Sequence, residues 1–260
     1  MTARSAILER ILALPRPLLL AFDVDGTLAP ILDDPAAARV PVDTGKALRR
    51  LAGRRGLRVA LVTGRDARSL AQMVRVPGAF RAVEHGRVVI APGQRAGGGR
   101  LSREEHAKLD AFEQWVRKRA VPAGGELEVK AAARALHVRK LERRDPDRAA
   151  GLLAEAARMA RTAGLSPRPG RAVLEAELSA GDKGIALANL VRQTRAKGVM
   201  YAGDDLTDRP AIAKASELGG VGLFVKSPER RRTPRGASGA LRDQHEMGVL
   251  VRELADALAP

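Results

Sequence analysis

The stretch Ala21–Pro30, "AFDVDGTLAP", places two aspartates one residue apart directly behind the apolar run Leu18–Leu20. In an open parallel sheet ligands lie outside the carboxyl ends of the strands, so a strand over 18–22 delivers Asp23 to that crevice. A carboxylate there can attack phosphorus to form an aspartyl-phosphate, which divides one difficult hydrolysis into two easier displacements. Asp25 can protonate the departing alkoxide and later take a proton from the attacking water. Gly26 permits a tight turn and Thr27 can tie it by hydrogen bonds. The bland alternative is an Asx-turn with ordinary capping aspartates.

Three further segments weigh against that alternative. "VALVTGR" (59–65) ends a second strand at Thr63, whose hydroxyl and backbone N–H are suitable donors to a phosphoryl oxygen. Lys183 in "GDKGIAL" opens a helix, where a positive side chain and a helix N-terminus together attract phosphate. Taken alone, that segment reads as one more surface lysine. "YAGDDLTD" (201–208) ends a third strand with Asp204, Asp205 and Asp208. Carboxylates gathered in one crevice repel each other, and Mg²⁺ relieves the repulsion while neutralising a phosphate.

The elements that must position these groups follow from periodicity. Strand-like runs at 18–22, 58–62 and 82–90 alternate with helical patterns at about 43–54 and 66–74, which predicts βαβ units and a parallel sheet. The glycine-rich 91–100 reads as a linker. Beyond it a helix at about 102–119, the runs "ELEVKAA" and "ALHVRK", a helix at about 147–163 and "AVLEAEL" (172–178) predict an α+β unit with an antiparallel sheet. The parallel pattern resumes with a helix from Lys183, a strand over 198–202, a helix near 208–217 and a last helix at about 246–258. The expectation is an α/β, Rossmann-like core in two parts, 1–96 and 178–260, split by an α+β cap over 97–177. "KSPERRRTPRGAS" (226–238) reads as a polar, basic loop.

Composition narrows the chemistry further. At 260 residues and 45% hydrophobic, the chain can bury a sizeable core, and no window approaches the ~20 uninterrupted apolar residues of a membrane helix. Glu9 and Arg10 interrupt any signal-peptide core, so the N-terminus reads as a surface helix ending near Pro15, and a cytoplasmic protein is expected. There are no cysteines, which leaves carboxylates as the ligands for any metal and favours hard cations. The net charge of +16 suits nucleic acid, a membrane surface or an anionic metabolite alike. One Trp, one Tyr and four Phe offer few stacking platforms, so nucleic acid is not the expected partner.

Together, "DVDGT", the threonine of "TGR", the lysine of "DKG" and "GDDLTD" resemble the haloacid dehalogenase phosphatase superfamily, in that family's order. "FDVDGTLAPI", "HG" at 85–86, "ELEVKAAARALHVRK" (126–140), "LEAELSAGDKG" (174–184) and "GDDLTD" resemble, more narrowly, the trehalose-6-phosphate phosphatase family over about 18–225. The resemblance implies a nucleophile at Asp23 and a general acid/base at Asp25. It implies a phosphoryl group held by Thr63, Gly64 and Lys183, and Mg²⁺ at Asp23, the Asp25 carbonyl and Asp204, with Asp208 near it. Glu128, Lys130 and Glu175 would meet sugar hydroxyls from the cap, with His137 and Arg139 as further candidates. Strand spacing agrees in part, because residues two apart share a face, pairing Glu128 with Lys130 and His137 with Arg139. Their alternative is an exposed sheet face of alternating charge.

Two positions depart from the family pattern. Arg209 and Pro210 follow "GDDLTD" where an acidic residue is usual, and Arg87-Val88 follow "HG" in place of Ala-Glu. Pro210 suits a first helical turn, so the fold is expected to tolerate it. The resemblance thus implies an Mg²⁺-dependent hydrolase of trehalose 6-phosphate, and a monomer is expected. A phosphatase of another sugar phosphate, of the sucrose or glucosyl-glycerol or glycerate type, is the nearest rival; a non-catalytic sugar-phosphate-binding regulator and a basic nucleic-acid-binding protein stand further off.

Overall fold

The computed structural model of the chain describes residues 3–32, 34, 37–94, 101, 103–130, 132–170, 172–178 and 182–258. The chain divides into two compact units, one of Met1–Ala96 with Gly181–Pro260 and one of Gly97–Ala180. The glycine-rich run at 95–100 lies outside the described residues.

The first unit begins with helix α1 (Ala3–Leu12), which places Ile7 and Ile11 in the core. Strand β1 (Leu18–Phe22) is buried at every residue. A strand covered on both faces needs such a continuous apolar run, and here Leu18, Leu20 and Phe22 join one core cluster while Leu19 and Ala21 join another. Helix α2 (Val42–Ala52) buries Ala47, Leu48 and Leu51 and turns Arg49 and Arg50 outward in its last turn, where they complement the helix dipole. Strand β2 (Leu57–Val62) and helix α3 (Ala67–Met73) follow, then β3 (Phe80–Val83) and β4 (Val88–Ile90).

The expected single run at 82–90 is in fact a break and a reversal. Glu84, His85 and Gly86 have φ of 54°, 57° and 89°, so the chain turns back and β4 pairs antiparallel with β3. Left-handed backbone at two non-glycine residues in succession is uncommon, and it ends a strand more firmly than the apolar pattern extends it.

In the second unit, α4 (Arg103–Trp115) widens into a π-turn over Val116–Ala120, with the Val121 N–H donating to the Val116 carbonyl (2.9 Å). Strands β5 (Glu126–Val129) and β6 (Ala133–His137) follow, then the short α5 (Arg139–Glu142) and α6 (Pro146–Thr162), whose N-cap Asp145 accepts from the Arg148 N–H. Strands β7 (Leu165–Gly170) and β8 (Val173–Leu178) complete an antiparallel sheet of order β5-β6-β8-β7. Leu136, Leu174, Ala176 and Leu178 pack with Leu109 and Phe112 of α4 and Leu152 and Ala156 of α6. Strand β6 ends at His137 and Arg139 opens α5, so these two residues do not share a strand face as their spacing suggested.

The chain returns to the first unit with α7 (Lys183–Thr194), β9 (Gly198–Gly203), α8 (Arg209–Glu217), β10 (Val221–Val225), β11 (Gly239–Leu241) and α9 (Gln244–Ala257). Among the described residues the sheet order is β11-β10-β9-β1-β2-β3-β4, parallel except at β4. This is the expected α/β class. With β1 flanked by β2 and β9, the ends of three parallel strands meet at one edge, as a strand-order reversal requires. Pro210 sits in the first turn of α8, where its missing N–H costs nothing. No helix of the described residues is long and apolar enough to cross a membrane.

Candidate active site

Asp23 follows the end of β1, and its backbone N–H donates to the Ala202 carbonyl (2.8 Å), extending the β1–β9 pairing by one residue. Its carboxylate accepts from Lys183 Nζ at 2.6 Å. Lys183 is set by its helix start: Asp182 caps α7, accepting from the N–H groups of Gly184 (2.7 Å) and Ile185 (2.9 Å), which turns the first helical side chain inward. The same ammonium donates to Asp208 Oδ1 at 2.7 Å. Lys183 is 3% exposed, Asp23 4% and Asp208 0%, so these charges meet out of water.

Asp208 is saturated. Its Oδ1 accepts from Lys183 and from the Tyr201 hydroxyl (2.6 Å), and its Oδ2 from the N–H groups of Asp204 (3.2 Å) and Asp205 (2.9 Å). A carboxylate has about four acceptor sites, and all of these are used. Asp208 thus ties the 204–208 turn together and orients Lys183. Tyr201, which the sequence reading passed over, holds it from beneath; a lone tyrosine in an apolar strand gives no warning of such a role.

Asp204 lies against the "DGT" turn. Thr27 donates to its Oδ1 at 3.1 Å, so this threonine ties β1's turn to β9's rather than to itself. Gly26 has φ +80°, and a Cβ there would collide with the Asp204 carboxylate. The glycine serves both the turn and the approach of the second carboxylate. Asp23, Asp204 and Asp208 each present an oxygen within 4.8 Å of the others, and all three are buried.

These contacts set the proton affinities. Burial pushes the Asp23 carboxyl well above its ordinary value, the Asp208 charge adds to this, and Lys183 offsets part of it. Asp204 is raised to about 6, by burial first and by the Asp208 charge second. Burial acts to lower Lys183, but the Asp23 and Asp208 charges and their hydrogen bonds outweigh it and raise the ammonium on balance. Three carboxyl groups facing one lysine, in a place too dry for water to screen them, thus resist ionising together unless further positive charge joins them.

Asp25 has a partner that the sequence reading missed. Arg65 donates to both of its oxygens, Nε to Oδ2 at 2.8 Å and Nη2 to Oδ1 at 2.6 Å. This bidentate fork fixes the carboxylate's plane. Arg65 closes the "TGR" motif two residues beyond Thr63, but the motif does not say where its guanidinium points. The Thr63 hydroxyl accepts from the Arg65 N–H (3.1 Å), and the Thr63 N–H donates to the Ala82 carbonyl (2.9 Å). That backbone N–H is consequently not a donor to a phosphoryl oxygen, contrary to expectation, because the strand pairing consumes it. The left-handed turn at Glu84–Gly86 braces the segment: Glu84 N–H donates to the Arg65 carbonyl (2.9 Å) and His85 N–H to the Thr63 carbonyl (2.8 Å). A Cβ on the exposed Gly64 would strike the His85 ring.

In the second unit Glu128, Ala135 and Glu175 stand in one cross-strand row on β5, β6 and β8. Directly opposed residues share a face, so the two glutamates flank a floor of alanine. Lys130 Nζ donates to Glu175 at 2.7 Å, and His137 Nε2 pairs with Glu128 at 2.8 Å. Four of the five sugar-binding candidates are thereby joined in two pairs, one ionic and one a hydrogen bond to histidine. Arg139 is exposed at the start of α5 and is not joined to them. Beneath the sheet, buried Arg134 donates to Glu113 (2.6 Å) and to the Lys130 carbonyl (2.9 Å), which anchors the end of β5 to α4.

An open α/β sheet with buried aspartates at its carboxyl edge and an inserted α+β unit is the haloacid dehalogenase-like class of fold. A solved structure of Aspergillus fumigatus trehalose-6-phosphate phosphatase shares it, with a TM-score of 0.70 at 24% identity over 98% of this chain and 97% of that one. The family model described as trehalose-phosphatase matches residues 21–236, and the chain belongs to that family. It is 32% identical over 259 residues to a trehalose-phosphate phosphatase of Mycobacterium marinum, covering 95% of this chain and 64% of that protein. It is also 32% identical over 234 residues to an uncharacterized glycosyl hydrolase of Mycobacterium tuberculosis, of which it spans 17%. The chain thus spans less than two thirds of the length of either relative.

Proposed function

We propose that this chain hydrolyses trehalose 6-phosphate to trehalose and phosphate, with Mg²⁺ and through an aspartyl-phosphate on Asp23. The observation that carries the reading is the buried Asp23, fixed by Lys183 at 2.6 Å beside Asp204. Family membership and the names of the relatives support the substrate.

The donor set fits a hard divalent cation. It consists of buried carboxylate oxygens with an excess of negative charge, and the chain has no thiolates. Asp23, Asp204 and the Asp25 carbonyl would hold the ion, while Asp208, already saturated, stands behind them. When bound, Mg²⁺ neutralises charge on the phosphoryl oxygens.

One Asp23 oxygen attacks phosphorus while the bond from phosphorus to the sugar oxygen breaks, its electron pair leaving with that oxygen. Asp25 supplies the proton that the alkoxide needs. It must carry that proton on one oxygen and therefore release one arm of Arg65, whose other arm keeps it aimed. Lys183 and the Thr63 hydroxyl stabilise the phosphoryl charge as it develops. Water then attacks phosphorus, Asp25 takes its proton, and the Asp23–phosphorus bond breaks to restore the carboxylate. The inserted unit acts as a cap: Glu128, Lys130 and Glu175 exchange their mutual contacts for sugar hydroxyls, with His137 supporting Glu128.

Phosphate release from trehalose 6-phosphate with Mg²⁺, by the unaltered protein and by Asp23→Asn, tests the proposal. Release by the former and none by the latter is expected. Release by both would overturn the nucleophile, and release by neither would overturn the activity.

A further inference from the structure

The basic loop at 226–238 has no part in this chemistry, yet it is neither loose nor remote from it. It leaves the carboxyl end of β10, and β10 runs parallel beside β9, whose own end leads into Asp204. Its first residue donates from the Lys226 N–H to the Leu241 carbonyl (3.0 Å), and its last from the Ser238 N–H to the Gly222 carbonyl (2.7 Å). Between these ends Ser216 Oγ holds the Gly236 carbonyl (2.6 Å), and the Arg230 N–H closes a turn on the Ser227 carbonyl (3.1 Å). Arg230 then reaches across to Asp205 at 2.7 Å, so the loop is pinned to the residue next to Asp204.

That pin decides what the remaining charges can do. The segment carries Lys226, Arg230, Arg231, Arg232 and Arg235 against the single acid Glu229. Arg230 is neutralised by Asp205. Arg231, Arg232 and Arg235 are exposed and, among the described residues, no carboxylate pairs with them. A solvated arginine can lie anywhere on a protein, but these three belong to a shaped loop that Arg230 fastens to Asp205, the neighbour of Asp204, so their charge is added beside the loop that carries a carboxylate of the site. A positive rim raises the local concentration of anionic ligand.

We propose that residues 226–238 form an anion-collecting rim, with Arg231, Arg232 and Arg235 drawing phosphate esters toward the Asp23 site and Arg230 holding the rim in place through Asp205. The proposal deepens the phosphatase reading and rests on it. Its signature is electrostatic: the effect should be large at low ionic strength and fade as the Debye length shrinks from about 20 Å at 20 mM salt to about 4 Å at 500 mM.

The test compares the parent with Arg231→Gln/Arg232→Gln/Arg235→Gln and with Arg230→Gln, measuring kcat/KM for a phosphate monoester at both salt concentrations. A calorimetric titration with inorganic phosphate runs alongside. The triple variant should lose about three- to tenfold in kcat/KM and in phosphate affinity at 20 mM salt, with the gap closing at 500 mM. Arg230→Gln should move in the same direction. Parallel salt curves for parent and triple variant would overturn the rim. So would a gel shift of duplex DNA by the parent that the triple variant loses while phosphate binding stays unchanged, since the surface would then serve nucleic acid. If the parent cleaves no monoester the phosphatase reading falls, and the phosphate titration still decides the rim.

Discussion

At the scale of single residues, what each buried oxygen is already bonded to decides what it can do. The Asp23 carboxylate accepts from Lys183, and the amide of Asp23→Asn can neither attack phosphorus nor complete the carboxylate set. Turnover of every substrate should vanish in that variant, as a phosphate-release assay will show. Asp25→Asn should slow trehalose 6-phosphate severely and p-nitrophenyl phosphate less, because nitrophenolate leaves without a proton; equal losses would remove the acid role. Gly26→Ala is a sharper probe of geometry, since its Cβ displaces the Asp204 carboxylate and its φ of +80° disfavours alanine. We expect it to weaken the response to Mg²⁺ more than overall stability, read as the metal concentration for half-maximal rate against the melting temperature. The aspartates were legible in the sequence because each follows an apolar strand. The fork of Arg65 on Asp25 was not, because nothing in spacing tells a guanidinium aimed at a carboxylate from one aimed at water.

At the scale of elements, selectivity should lie in the inserted sheet. Lys130→Ala removes the partner of Glu175, and Glu128→Ala the partner of His137. Each should lower kcat/KM for trehalose 6-phosphate by about 1–3 kcal/mol, with a much smaller effect on p-nitrophenyl phosphate, which has no sugar hydroxyls. Equal losses on both substrates would make these residues structural. The legible elements were those with one dominant pattern: β1, β2 and β9 as buried runs, α6 and α9 as amphipathic periods. Strand β7, "LSPRPG", was hidden by Pro167 and Pro169, which argue against a strand. It survives as an edge strand of its sheet, where a missing N–H on the outer side costs no ladder bond. Arg139 was misplaced because "ALHVRK" alternates through a boundary that only the helix following it defines.

At the scale of the whole molecule, the buried carboxylates link folding to metal and pH. Asp204 has its folded pKa raised to about 6 from an ordinary value near 3.9. In the metal-free protein its contribution to stability is therefore fully present below about pH 4 and lost as pH rises through about 6. A cation that binds the ionised carboxylate reverses that loss, so the rise in melting temperature on adding Mg²⁺ should be larger at pH 7 than at pH 5. A shift independent of pH would contradict the placement of the ion at Asp204. Chelation should likewise stop turnover and Mg²⁺ restore it, while Ca²⁺, with its longer and looser coordination, should not. The central claim, however, is the pairing of this core with this substrate. It is tested most directly by measuring kcat/KM of the unaltered protein, with Mg²⁺, across trehalose 6-phosphate, sucrose 6-phosphate, glucosylglycerol phosphate, glucose 6-phosphate and p-nitrophenyl phosphate. Trehalose 6-phosphate should exceed each of the others by at least about tenfold; a higher value for any other sugar phosphate, or no release from trehalose 6-phosphate, would rule this pairing out.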